Sequence, residues 1–241
     1  MNKKLKVCVV IPCFKVKDKI LQVIKEINLK YVDLILIIDD KCPERTGDIV
    51  RQKNLKKVKV IKHQKNMGVG GATITGFKYA IKNKFDLVIK LDGDGQHEPK
   101  YIRRFIAQFK NTNLNFCKGT RFKSHRERGK IPIVRLFGNY ILTFATKINC
   151  ANYNITDAVN GFIAIKTSLL KKINLNSISK EFFFEEDLLF HCSFTKMEIR
   201  EIPIKTIYFG KSNLIPFKIV IPFVIKHIKN FNRRYIINWK P

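Results

Sequence analysis

Acidic residues are scarce in this chain. Asp and Glu number 19 against 47 Lys and Arg, a net charge of +28 over 241 residues. Such a surface draws polyanions: nucleic acid, anionic lipid or phosphorylated substrates. The composition is also rich in Ile, Asn and Phe, so lysine content alone does not choose among these partners. Long apolar runs are missing too. No stretch reaches the roughly 18 residues of a membrane-spanning helix. The start, "MNKKLKVCVVIPC", turns from basic to apolar as a signal peptide does. The run is short, stops at Pro12 and has no small-residue cleavage site, so a first β-strand is expected. The six cysteines include no C-x-x-C pair. That argues against a metal cluster or disulfide framework and for a reducing cytosol, with the thiols as small core hydrophobes. Internal repeats and low-complexity linkers are absent. "NMGVGGATITG" is neither G-x-G-x-x-G nor a Walker A loop, since no Gly-Lys-Ser/Thr appears.

What is present is strand–helix alternation. The chain is 45% apolar and long enough for one α/β domain with a short extension. "LKVCVVIP", "DLILII" (33–38), "VKVIKH" (58–63) and "FDLVIKLD" (85–92) read as strands. Residues 17–28 place Ile20, Val23, Ile24 and Ile27 at helical spacing. Residues 70–83 and 99–109 read as further helices. Continuous apolar strands between helices predict a mostly parallel sheet covered on both faces. The second half is less regular: a strand at 114–122, a charged loop at 126–132, a helix at 133–148, a strand at 161–166, a helix start at 182–194 and a last strand at 198–204. A catalytic domain is expected over 1–212 and a basic amphipathic tail over 213–241. In the tail, Val220, Val224, Ile228, Phe231 and Tyr235 form an apolar stripe beside Lys226, Lys229, Arg233 and Arg234. It reads either as a membrane-surface helix or as a terminal helix packed on the domain. Pro222 would confine a regular helix to the residues after it.

Ligands of such sheets bind beyond the C-terminal strand ends. Three polar clusters fall there: "DDKC" (39–42), "NMGVGG" (66–71) and "DGDGQH" (92–97). Asp92 and Asp94, at i and i+2, share a face, and Gly93 and Gly95 let the backbone bend. Mg²⁺ or Mn²⁺ would bridge these carboxylates to a diphosphate, with Gln96 and His97 near enough to complete the shell. The plainer alternative is an acidic turn capping the helix at Pro99. Asp39 and Asp40 could accept hydrogen bonds from a ribose or base, or could cap the helix that follows. "EFFFEED" (181–187) could hold a base of raised pKa or favour a helix N-terminus. Arg121, Arg126, Arg128 and Arg135 could bind an acceptor phosphate or form a solvated loop.

In order along the chain, "VVIPCF", "LIIDDKCPERTGD", "NMGVGGATITGFKYAI", "DGDGQHEP", "KGTRF", "ITDAVNGFIAI" and "FFFEEDLLFHCSF…EIREIPI" resemble the family 2 glycosyltransferases. The likeness is to the dolichol- or polyprenol-phosphate sugar transferase group. It implies a GT-A fold with a basic C-terminal helical tail. The implied activity is inverting transfer of a sugar from a nucleotide-diphosphate sugar to a polyprenyl-phosphate or glycan acceptor, in cell-envelope polysaccharide or glycolipid synthesis. Site roles follow from it as expectations. Pro12, Asp39 or Asp40, Asn66, Gly68, Asp92 and Asp94 would face the donor. Asp92, Asp94 and Gln96 would hold Mg²⁺ or Mn²⁺. Arg121 would lie near the acceptor or diphosphate, and Asp157, Glu185 and Asp187 would line the acceptor side, one being the base for a hydroxyl acceptor. Two departures leave the nucleotide open. Lys15 and Val16 stand where the family has Asn-Glu, and Asp39-Asp40-Lys41-Cys42 replaces Asp-Asp-Gly-Ser.

The resemblance also implies a cytoplasmic enzyme, peripheral at an anionic membrane. A nucleotidyltransferase would need an arginine- and glycine-rich loop after the first strand, and "PCFKVKDK" is not one. A non-catalytic nucleic-acid or polyanion binder is suggested by charge alone. Base stacking needs exposed aromatics among the cations, whereas most phenylalanines here lie in apolar runs. No specific nucleic-acid partner is expected.

Overall fold

The computed structural model describes residues 4–110, 112–123, 131, 133–207, 217–237 and 239. The first half follows the alternation: β1 (Val7–Cys13), α1 (Lys17–Glu26), β2 (Leu34–Asp39), α2 (Thr46–Gln52), β3 (Val58–Lys62), α3 (Gly68–Lys82) and β4 (Leu87–Lys90). A short 3₁₀ turn at Pro99–Tyr101 leads into α4 (Ile102–Gln108). Then come β5 (Phe116–Thr120), α5 (Ile133–Cys150), β6 (Ile163–Lys166), α6 (Thr167–Leu170), α7 (Phe184–Cys192), β7 (Ile199–Pro203) and α8 (Phe217–Tyr235).

The seven strands form one sheet in the order β3-β2-β1-β4-β6-β5-β7. Most pairs are parallel, but β6 runs antiparallel to both β4 and β5. The reversed strand shapes the site. Because β6 runs backwards, the residues before it arrive at the edge where β1, β2, β4 and β5 end. That edge therefore gathers the 157–161 segment together with Cys13, Asp39, Lys90 and Thr120.

Alternation along β1 sends Val7, Val9 and Ile11 into one layer, beneath Ile20, Val23 and Phe105 of α1 and α4. Cys8 and Val10 enter the other, against Phe77 of α3 and Leu188 of α7. This period of two is what a sheet covered on both faces requires. Gly76 lets α3 approach β1 closely, since a Cβ there would stand 2.2 Å from Val10 Cγ1. All six cysteines are buried free thiols.

One expectation is corrected. Helix α8 runs through Pro222 instead of starting after it. Pro222 is the sixth residue of the helix, past the four N–H groups that have no intrahelical partner, so α8 gives up one backbone hydrogen bond there and still continues. The proposed domain boundary at 212/213 lies outside the described residues. Among the described residues, no helix is long and apolar enough to cross a membrane.

Candidate active site

The gathered strand ends surround a cavity of about 630 Å³. Its wall includes Pro12 and Cys13 from β1, Asp40 after β2, Asn66 and Gly68 at the start of α3, and Lys90 through His97 around the end of β4. Arg121, Asn160, Gly161, Glu181, Phe182 and Glu185 complete the wall. Three clusters far apart in sequence thus face one space.

Lys90 is the last residue of β4 and is 1% exposed. A buried ammonium needs partners, and it has two. Its Nζ lies 2.8 Å from Asp92 Oδ1 and 2.8 Å from Glu185 Oε1. Burial disfavours the charge, but the two carboxylates outweigh it and hold Lys90 protonated above the ordinary lysine value. Burial likewise opposes ionisation of Asp92, and Lys90 and then His97 overcome it, so Asp92 ionises below the usual range. Gly161 seals the cluster from the side. A Cβ there would stand 2.6 Å from both Asp92 Oδ2 and Lys90 Nζ.

Among the described residues Asp94 forms no such ion pair. Its Oδ1 accepts from the Gln96 N–H at 2.9 Å. Burial, and then the charge of Asp92, push its pKa up. His97 is pushed down to about 4, chiefly by burial, so its imidazole is neutral. Its Nδ1 is buried without a hydrogen-bond partner among the described residues, 3.8 Å from Asp92 Oδ2. An undercompensated carboxylate beside a second carboxylate, an amide and a neutral imidazole fits a divalent cation. Among the described residues no group of three His, Cys, Asp or Glu could enclose an ion. Mg²⁺ commonly takes one or two carboxylates and completes its shell from substrate phosphates and water, so two carboxylates suit it when a diphosphate is present.

At the end of β2 the two neighbouring aspartates differ. Asp39 is fully buried and receives the Cys42 and Gly47 N–H groups at 2.8 and 2.6 Å, which fixes the turn into α2. It does not line the cavity. Asp40 does, and its Oδ1 receives the Met67 N–H at 2.8 Å and meets His63 Nδ1 at 2.7 Å. Asn66 Oδ1 receives the Gly68 N–H at 3.0 Å. Gly68 has φ +76°, and a side chain there would strike the Lys180 carbonyl.

The three acids expected on the acceptor side are engaged, whereas Glu186, outside the cavity wall and with neither carboxylate oxygen bonded among the described residues, is pushed up to about 8, chiefly by burial. Asp157 is fully buried, behind Arg121. Burial would raise its pKa, but the guanidinium outweighs that and lowers it. Asp187 lies outside the cavity wall. Its Oδ2 receives the Ser179 N–H at 2.7 Å and its Oδ1 the Asn230 amide at 3.0 Å, tying α7 to α8. Glu185 faces the cavity through its pair with Lys90. Arg126, Arg128 and the Arg135 side chain lie outside the described residues. Lys90 was missed from sequence. Its signal was a lone cation inside an apolar strand, directly ahead of two acids. Lys118 is a second such case. It is fully buried in β5 and donates to the carbonyls of Asp157, Ala158 and Asn160, holding the 157–161 segment in place.

A mostly parallel sheet with a carboxylate pair at the end of a central strand, facing a cavity flanked by glycine-led and acidic helices, defines a GT-A glycosyltransferase. The comparisons with known proteins agree. The model of the family "Glycosyl transferase family 2" matches residues 8–174, and the chain belongs to that family. It is 31% identical over 230 residues to the UDP-N-acetylglucosamine--dolichyl-phosphate N-acetylglucosaminyltransferase of Methanococcus voltae, covering 87% of this chain and 91% of the relative. It is 28% identical over 173 residues to the undecaprenyl-phosphate mannosyltransferase of Micrococcus luteus, covering 70% of each. The fold matches that of glucosyl-3-phosphoglycerate synthase from Mycobacterium tuberculosis, solved with Mn²⁺, UDP and glucosyl-3-phosphoglycerate. The TM-score is 0.68 at 13% identity, over 95% of this chain and 80% of that one.

Proposed function

We propose that this glycosyltransferase moves a sugar, with inversion, from a nucleotide-diphosphate sugar to a polyprenyl phosphate in cell-envelope or glycolipid synthesis, working at the cytoplasmic face of a membrane. One observation carries the choice of acceptor. The three acids expected to line the acceptor side are already committed: Asp157 to Arg121, Asp187 to Ser179 and Asn230, Glu185 to Lys90; Glu186 is uncommitted but lies outside the cavity wall. A hydroxyl acceptor needs a base to take its proton, whereas a phosphate monoester is already an anion. The M. voltae and M. luteus relatives are named for lipid-phosphate acceptors, which supports the same reading.

Asp40, Asn66 and Gly68 are suited to receive the nucleotide. Asp92, Asp94 and Gln96 would hold Mg²⁺ or Mn²⁺, which when bound offsets charge on the leaving diphosphate. The Mn²⁺ and UDP in the M. tuberculosis structure support that assignment. Arg121 lines the same cavity as the carboxylate pair, and its guanidinium would attract the acceptor phosphate. An oxygen of that phosphate attacks the anomeric carbon from the face away from the diphosphate. The new C–O bond forms as the bond to the diphosphate breaks, and no proton changes hands.

The test is calorimetric titration of UDP and GDP with and without Mn²⁺, on the parent and on Asp94→Ala, followed by transfer assays. Metal-dependent binding of one nucleotide, lost in Asp94→Ala, together with glycosylation of polyprenyl phosphate, is the expected result. Glycosylation of a sugar hydroxyl in place of the lipid phosphate would overturn the acceptor assignment.

A further inference from the structure

Two neighbouring helices turn apolar faces to the outside. On α8, Ile221, Val224, Ile225 and Ile228 are all more than half exposed. On α5 the same holds for Ile133, Phe137, Ile141 and Phe144. The two helices pack together: the Asn149 amide donates to the His227 carbonyl at 3.1 Å, and the Tyr235 hydroxyl to the Ile148 carbonyl at 2.7 Å. So much exposed aliphatic and aromatic surface on adjoining helices marks a docking surface.

Both helices connect to the catalytic cavity. Tyr140 of α5 stacks on Phe122 at 5.0 Å, and the Arg121 guanidinium lies 5.6 Å from the centre of the same Phe122 ring. Phe223 of α8 meets Phe183 edge-on at 5.3 Å, next to Phe182, which lines the cavity and is 65% exposed. The apolar surface therefore reaches the cavity from two directions, one of them at Arg121.

Charge selects the occupant. The stretches forming α5 and α8 contain no Asp or Glu, yet α5 carries Lys147 and α8 carries Lys226, Lys229, Arg233 and Arg234. A second copy of the chain would bring an equally cationic face, and the two would repel. An anionic lipid surface complements both features, accepting the apolar side chains and attracting the cations around them.

From this we infer that α5 and α8 together form a bilayer-docking surface for anionic phospholipid, with α5 contributing as a full partner of the C-terminal helix. The cavity rim at Phe182 and Arg121 then sits against the interface, where a membrane-held phosphate can enter. The inference rests on the lipid-phosphate reading for its purpose, but the binding is measurable without any reaction.

The experiment is vesicle flotation of the full chain, using liposomes of phosphatidylcholine alone or of equal parts phosphatidylglycerol and phosphatidylcholine. Flotation with the anionic vesicles, weakened by salt, is expected. Phe137→Glu with Phe144→Glu on α5, and separately Ile221→Glu with Ile225→Glu on α8, should each weaken it by about tenfold or more. Circular dichroism and nucleotide titration verify that the variants remain folded. Transfer to a short, water-soluble polyprenyl phosphate should persist in both variants, while transfer to vesicle-embedded acceptor falls. A chain that stays unbound with anionic vesicles overturns the inference. So does unchanged flotation of the α5 variant, or light scattering that shows a dimer dispersed by the same substitutions. Normal flotation without transfer to any lipid phosphate would instead refute the acceptor assignment and leave the docking surface standing.

Discussion

Arg121 grips Asp157 at both carboxylate oxygens, Nε to Oδ2 and Nη2 to Oδ1, each at 2.7 Å. The Arg121 backbone N–H adds a third bond to Oδ2 at 3.0 Å. Asp157 is fully buried and Arg121 is 7% exposed. The pair fixes an arginine that faces the cavity and anchors the segment leading to β6.

Asp157→Asn should therefore destabilise the fold by about 3–5 kcal/mol, because removing one partner leaves a buried charge unmatched. Urea midpoints measure this. Arg121→Lys should not substitute, since an ammonium cannot make the bidentate contact. The pH dependence has a definite sign. The folded pKa of Asp157 is lowered, so its stabilisation is complete above the ordinary carboxylate value. It is lost as pH falls through the folded value. The Asn variant should show less loss of stability on acidification than the parent.

Lys90 supports a different prediction. Lys90→Met leaves Asp92 and Glu185 without their shared cation, in a region closed by Gly161. The cost should again be about 3–5 kcal/mol without metal. An added divalent cation can neutralise part of the exposed acidity. Mn²⁺ should then raise the melting temperature of Lys90→Met more than that of the parent. Equal Mn²⁺ shifts in the two proteins would show that Lys90 and the cation do not share the same carboxylates.

The alternation of β1 to β4 was legible in sequence because each strand is an apolar run bounded by polar turns. The positions of the three polar clusters followed from it, and they do surround one cavity. The reversal of β6 was not legible, since "GFIAIK" reads alike in either direction and its pairing is set by distant strands. Side-chain commitments were hidden for the same reason. Lys90 meets Glu185 across 95 residues and Asp187 meets Asn230 across 43. In sequence, Asp39 and Asp40 are indistinguishable. Register settles them: Asp39 pairs with Cys13 as part of the sheet and turns to the α2 start, while Asp40, one residue on, reaches the cavity.

The packing of α8 should depend on pH through His227. This imidazole is 9% exposed between α8 and the domain. Its Nδ1 lies 3.0 Å from the Asn149 amide and its ring meets Phe183 edge-on at 4.8 Å. Burial lowers its pKa from 6.5 to about 4. His191 on α7 is lowered too, mainly by burial, with Asp187 opposing. A lowered histidine stabilises the packed state only while both states are neutral. Below about 6.5 the unpacked state takes up the proton first, so stability falls from there down to about 4. For His227 the full effect is on the order of 3 kcal/mol. The chain's single tryptophan reports on the outcome. Trp239 lies just beyond α8, stacked at 6.1 Å on Phe190 of α7, with the Arg233 guanidinium 4.8 Å from its ring. Its emission should shift to the red as pH falls between 6.5 and 4, ahead of loss of far-ultraviolet circular dichroism. His227→Gln should move that shift to lower pH. Because His191 is 5.3 Å from the tryptophan ring and can quench it directly, His191→Gln is the control. An emission change abolished by His191→Gln and untouched by His227→Gln would place the titration at α7 and leave the seating of α8 independent of pH.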